Sequence, residues 1–196
     1  MDDPIIGLLL AAGASRRYGA DKLAQPLPDG APVAVRACRN LLAGTDGVLA
    51  VVRPGSERLA EQLRAEGAEV VVCPDADLGM GHSLAFGIRA RPDAAGWLVA
   101  LADMPLLSPA TVRAVADALR TGAPIAAPCR DGRRGHPVGF ARSFGPELAA
   151  LTGDSGAKDL IQRNLPLLHL LECDDPGLFR DIDRPAELAS FTPCTP

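Results

Sequence analysis

Short, unbroken apolar runs alternate with amphipathic stretches along most of this chain. Residues 5–10 are continuously apolar and end in Ala11-Ala12-Gly13, the pattern of a strand buried on both faces. Similar runs recur at 47–52, 70–72, 97–102, 124–127 and 167–171. Between them, residues 32–42 carry Val33, Ala37 and Leu41 four apart, one face of a helix. Ser56 is placed to cap a helix running to Glu66, which Gly67 would end. Residues 74–81 read as a loop and 83–90 as a helix. Ser108-Pro109 is a strong helix start, and Val112, Val115, Ala116 and Leu119 then form one apolar face. Residues 130–135 form a hairpin-like turn before a strand at 137–140; helices are expected at 144–151, at 156–163 and after Pro185.

Strands alternating with helices imply a mainly parallel α/β sheet with right-handed crossovers. No internal repeat or linker divides residues 1–196, so one domain is expected. In such a sheet the ligand sits beyond the carboxyl ends of the strands, near the topological switch point. Gly13, Pro74 and Asp103 all fall just past expected strand ends.

Composition narrows the partners. A hydrophobic content of 47% against 22% charged residues argues for a packed core rather than disorder. A net charge of −4 argues against a nucleic-acid binder, which needs a basic face. Local cationic clusters do exist, at Arg16, Arg17 and Lys22, and again at Arg130, Arg133 and Arg134. Either is a solvated loop or an anion site. The five cysteines are scattered without a C-x-x-C pair, which reads as reduced thiols. The first residues lack a basic leader region, and the run at 5–12 is too short to cross a membrane. A cytoplasmic protein without membrane partners is expected.

The chemistry concentrates in Leu10-Ala11-Ala12-Gly13-Ala14-Ser15-Arg16-Arg17-Tyr18-Gly19-Ala20-Asp21-Lys22. Small residues after a strand let backbone N–H groups approach phosphate oxygens, and Arg16, Arg17 and Lys22 supply charge for a triphosphate. The spacing fits neither a P-loop nor G-x-G-x-x-G. Asp103 follows a hydrophobic strand directly, so it either caps the turn at Pro105 or holds a cation. Ser83 after Gly79-Met80-Gly81-His82 is a helix cap or a ligand contact. Gly81-His82-Ser83-Leu84-Ala85 nearly spells a hydrolase nucleophile elbow, but a loop separates it from the preceding strand. The three histidines lack zinc-site spacing.

The Leu10 to Lys22 segment resembles the signature of MobA-like nucleotidyltransferases, most closely the molybdenum cofactor cytidylyltransferases. The likeness continues through Gly79-Met80-Gly81-His82-Ser83-Leu84, Ala102-Asp103-Met104-Pro105, Gly135-His136-Pro137-Val138, Gly153-Asp154-Ser155-Gly156-Ala157-Lys158 and Asp181-Ile182-Asp183-Arg184-Pro185, in the family's order. It implies a three-layer, Rossmann-like, mostly parallel sheet of the nucleotide-diphospho-sugar transferase type. The implied reaction moves CMP from CTP onto a phosphorylated acceptor, molybdenum-loaded molybdopterin, and releases pyrophosphate. A guanylyltransferase using GTP and a noncatalytic nucleotide-binding module are the alternatives.

By resemblance, Arg16, Lys22 and Asp103 are catalytic. Ala11, Ala12, Gly13, Ser15, Arg16, Lys22, Gly81 and Ser83 bind the nucleotide. Asp103 holds Mg²⁺, joined by Asp183 or Asp181 unless these cap the helix after Pro185. His136 and Lys158 meet the acceptor, with Lys158 standing where the family more often has Arg. A molybdoenzyme or its chaperone is the implied protein partner.

Overall fold

The computed structural model describes residues 3–13 and 22–182. Strand β1 (Ile5–Ala11) lies at the centre of the sheet, because every one of its residues is apolar or glycine and all are buried. Strand β2 (Gly47–Val52) pairs parallel on one side and β4 (Gly96–Leu101) parallel on the other. Strand β3 (Glu69–Val72) extends the sheet beyond β2, again parallel. On the far side of β4, β7 (Val138–Ala141) runs antiparallel to both β4 and β5 (Ile125–Arg130). The short β6 (Arg133–Arg134) folds back on the end of β5, and β8 (Leu168–Glu172) pairs with β5 in parallel. The sheet is thus mostly parallel, as expected, with one reversed strand in its interior.

Alternation along β1 divides the core. Ile5, Leu9 and Ala11 face one side with α1 (Val33–Leu42), α2 (Glu57–Ala65) and α4 (Pro109–Arg120). Ile6, Leu8 and Leu10 face the other, with α3 (Met80–Ala90), α5 (Gly145–Ala149) and α6 (Lys158–Arg163). Two helical layers therefore sandwich one sheet. Trp97 and Phe140 fill the second side, and the indole N–H donates to the Arg91 carbonyl at 3.1 Å.

Several element ends differ from the sequence expectation, each for a local reason. Helix α3 begins at Met80, with Gly79 at the cap position in a conformation of φ 121° that favours glycine. Ser83 therefore lies within the first turns, buried at 3% exposure, and does not cap the helix. Ser56 occupies the cap position of α2, yet its side chain makes no capping bond. Ser108 caps α4 as expected, accepting from the Ala110 N–H at 3.2 Å. Strand β5 runs on to Arg130 because β6 and β8 supply its later backbone partners. The expected helix at 144–151 shortens to α5 after a 3-10 turn, Arg142–Phe144. Gly156, at φ 55°, delays α6 until Lys158. The helix expected after Pro185 lies outside the described residues.

Candidate active site

The chain goes from β1 to β2 on one side and later returns to β4 on the other. That order reverses beyond the carboxyl ends of β1 and β4, the topological switch point at which α/β sheets bind their ligands. Leu10 pairs with Leu101, and the Ala102 N–H donates to the Leu10 carbonyl at 3.1 Å. Gly13 and Asp103 consequently emerge from neighbouring strand ends. Ala11 and Ala12 are buried, whereas Gly13 is exposed. A Cβ at Gly13 would meet no described atom within 4 Å, so core packing does not require the glycine.

Lys22 opens a 3-10 turn, Lys22–Ala24, anchored by Leu23 in the core. Its Nζ donates to Asp103 Oδ2 at 2.7 Å. The two side chains are only 13% and 20% exposed, so water screens the pair weakly. Asp103 Oδ1 is sealed from solvent and has no hydrogen-bond partner among the described residues. An orphaned carboxylate oxygen is costly in that position, and a divalent cation would satisfy it. The residues present therefore fit a metal at Asp103. Among the described residues, no three His, Cys, Asp or Glu side chains converge into a cage. A cation there would complete its shell with phosphate and water, the habit of Mg²⁺.

The Asp103 loop is held from outside by a strap near the chain's end. The Ile182 N–H donates to the Asp103 carbonyl at 2.9 Å, which brings Asp181 to the site. His136 also lies here. Burial and the Arg134 charge hold its pKa below the ordinary value, against a bond to the Val99 backbone and the charges of Asp103 and Asp181. Its Nδ1 is buried without a hydrogen-bond partner among the described residues. Within the second basic cluster, Arg130 pairs with Asp174 at 3.0 Å, and Arg133 lies 4.3 Å from the Phe179 ring centroid. Burial pushes the Arg134 pKa down.

The other glycine-rich segments interlock with each other. The Gly81 N–H donates to the Gly153 carbonyl at 2.7 Å, so that donor is already committed. A Cβ at Gly81 would lie 2.6 Å from the Thr152 carbonyl oxygen, which explains the glycine by close approach. Lys158 is exposed at the start of α6. Among the described residues, no hydrogen bond or ion pair links Gly81, Ser83 or Lys158 to Asp103. Ser15, Arg16 and Asp183 lie outside the described residues.

Sequence reasoning missed Asp175, the strap and Asn40. Asp175 is 5% exposed and accepts from the Ser108 N–H, the Thr111 hydroxyl and the Gly177 N–H. Asn40 donates to the Pro105 carbonyl at 2.9 Å. Asp175-Pro176-Gly177 signalled only a turn, and nothing in a linear pattern pairs it with a helix start more than sixty residues earlier.

Comparisons with known proteins show the family. The family model described as the MobA-like NTP transferase domain matches residues 7–168. A protein of Bacillus subtilis named purine catabolism protein PucB is 32% identical, covering 93% of this chain and 93% of its own. One of Paenarthrobacter nicotinovorans, named nicotine blue oxidoreductase, is 31% identical over 91% of this chain and 92% of its own. The crystal structure of Rv0371c from Mycobacterium tuberculosis superposes with a TM-score of 0.82 at 28% identity, covering 97% of both chains. A complex of that mycobacterial protein with manganese gives 0.73 at 27% identity, over 87% of this chain and 88% of that one. No helix among the described residues is long and apolar enough to cross a membrane. With Asp103 at the switch point and the family match spanning most of the fold, the chain belongs to the MobA-like NTP transferase family.

Proposed function

We propose that this protein transfers CMP from CTP to a phosphorylated acceptor of the molybdopterin type, releasing pyrophosphate, in the cytoplasm and with Mg²⁺. The observation that carries this reading is the Lys22–Asp103 pair at 2.7 Å, with Asp103 Oδ1 sealed and, among the described residues, unpartnered beside the exposed Gly13. Cation, carboxylate and glycine loop at one strand edge suit a triphosphate and its metal.

In the reaction an acceptor phosphate oxygen forms a bond to the α-phosphorus. The α–β anhydride bond breaks, and its electron pair leaves with pyrophosphate. The acceptor phosphate is already ionised at neutral pH, so no side-chain nucleophile is required. Two anions must meet, and the protein's work is alignment and charge compensation. Lys22 exchanges Asp103 for the α-phosphate, and Arg16 supports the departing pyrophosphate. Asp103, joined by Asp181 or Asp183, would hold Mg²⁺, which would supply further neutralisation of the phosphates. Gly81 and Ser83 border the base, and Lys158 extends toward the acceptor.

His136, which feels the charges of Asp103 and Asp181, would meet the acceptor's phosphate or pterin.

The manganese complex of the mycobacterial relative supports a divalent metal. The test is pyrophosphate release from CTP, GTP and ATP with Mg²⁺ and molybdopterin. CTP is expected to have the highest kcat/KM, since a pocket shaped for cytosine excludes purines. A GTP preference would move the protein to the guanylyltransferase branch. Nucleotide binding without pyrophosphate release would make it a noncatalytic module. Redox turnover without pyrophosphate release would align it with the relative named as an oxidoreductase.

A further inference from the structure

We propose that Asp175 is a positioning residue for the Asp103 metal site, acting through the strap formed by residues 175–182. This rests on the reading of Asp103 as the metal-bearing carboxylate. The loop from Asp103 to Ser108 joins β4 to α4, and the strap touches it along its whole length. At the far end, the Ser108 N–H and the Thr111 hydroxyl both donate to Asp175 Oδ2, at 2.9 and 2.7 Å. In the middle, Gly177 lies so close that a Cβ would approach the Leu106 carbonyl oxygen to 2.1 Å. At the near end, the Ile182 N–H donates to the Asp103 carbonyl at 2.9 Å.

Asp175 ties these contacts together. Its other oxygen, Oδ1, accepts from the Gly177 N–H at 2.8 Å, which turns the strap into the 3-10 turn Pro176–Phe179. One carboxylate thus joins the start of α4 to the start of the strap. Leu178 is 1% exposed and packs against Gly135, whose Cβ would stand 3.0 Å from the Leu178 Cβ. Phe179 lies under the Arg133 guanidinium. The strap therefore couples three things: the Asp103 loop, the turn before His136, and the placement of Asp181. Asp175 touches none of the reacting groups. Its bonds fix where Asp103 and Asp181 stand relative to each other.

An aspartate retained only for folding would affect stability alone. A positioning role also affects metal affinity, as hydrogen-bond partners behind metal ligands commonly do by about 10–100-fold. The decisive measurement is Mn²⁺ binding in the presence of CTP, followed by electron paramagnetic resonance. It needs no turnover, so failure of the transfer reaction does not obscure it. Asp175→Asn places an amide N–H against at least one present donor, and Thr111→Val removes one bond more gently. Asp46→Asn is the control: it removes the charge and one of the two acceptors that Ile5 and Arg120 use at the opposite end of the sheet, and leaves the strap intact.

Mn²⁺ affinity is expected to fall about tenfold or more in Asp175→Asn and less in Thr111→Val, with Thr111→Ser restoring it. Hydrogen exchange at the Ile182 amide should accelerate in the same order. Asp46→Asn should lower the melting temperature without altering Mn²⁺ affinity. If Asp175→Asn fails to fold, the two Thr111 variants decide. Wild-type Mn²⁺ affinity in folded Asp175→Asn, or in Thr111→Val where that is the variant that folds, would overturn the proposal. So would Mn²⁺ affinity falling equally in Asp46→Asn.

Discussion

The Lys22–Asp103 ion pair is the contact on which the proposed transfer depends. Lys22→Ala is expected to lower turnover about 10²–10³-fold, the usual cost of removing one positioned charge from a transition state. Arg16→Ala should act in the same direction. Lys22→Ala should still fold but melt lower, because it leaves the weakly screened Asp103 carboxylate without its cation. Asp103→Asn keeps the shape, removes the charge and should abolish most Mg²⁺-dependent pyrophosphate release. Wild-type activity and Mg²⁺ dependence in Asp103→Asn would remove the catalytic assignment's central residue. Asp103 was legible because it follows an apolar run directly, where a charge is conspicuous, and Lys22 and Arg16 because they cluster in the glycine-punctuated segment after another such run. Asp175 was not legible, because Ser108 and Thr111 reach its carboxylate only through tertiary folding.

At the scale of elements, the buried strands and the amphipathic helices α1 and α4 could be read directly from periodicity. Helix starts were harder. Ser83 looked like a cap because a hydroxyl follows glycines, but Gly79 turns the chain earlier and the Thr152–Gly153 carbonyls hold the new turn. The reversed direction of β7 was also hidden, since burial makes parallel and antiparallel runs look alike. Helix α3 offers a test of how closely these layers fit. A Cβ at Gly87 would stand 2.4 Å from Leu8 Cδ1 and 2.8 Å from Val51 Cγ2. Helix propensity favours Gly87→Ala by about 1 kcal/mol, while overpacking costs about 1–3 kcal/mol. Overpacking wins. The variant should melt several degrees lower, as measured by thermal unfolding, with an unchanged Mg²⁺ requirement because Gly87 faces the core away from Asp103. A rise in melting temperature would show that the layer can yield there.

For the whole molecule, the site and the stabilising ion pairs occupy opposite ends of the sheet, which allows acid stability to be argued apart from catalysis. Asp46 precedes β2 and accepts from the Ile5 N–H at 2.8 Å and from Arg120 at 2.8 and 2.9 Å, joining β1 to α4. Burial pushes its pKa up, but the Ile5 and Arg120 bonds outweigh burial and leave it below the ordinary value. Glu66, at the end of α2, is held low chiefly by its hydrogen bonds from Arg39 on α1. Both carboxyls are more acidic folded than unfolded. The unfolded chain therefore takes up protons first as pH falls, and their stabilisation is lost between the ordinary carboxylate pKa of about 4 and the lower folded values. The melting temperature should stay nearly level from pH 7 to about 5 and then decline below about 4. Asp46→Asn should melt lower than wild type at pH 7, and the gap should narrow as the acid limb is descended, because the wild-type carboxylate is being neutralised too. Added salt should shrink the Glu66 share, since that pair is partly exposed and screened. Thermal unfolding of both proteins across this pH range checks the assignment, and a constant gap at every pH would show that Asp46 acts through its shape and not its charge.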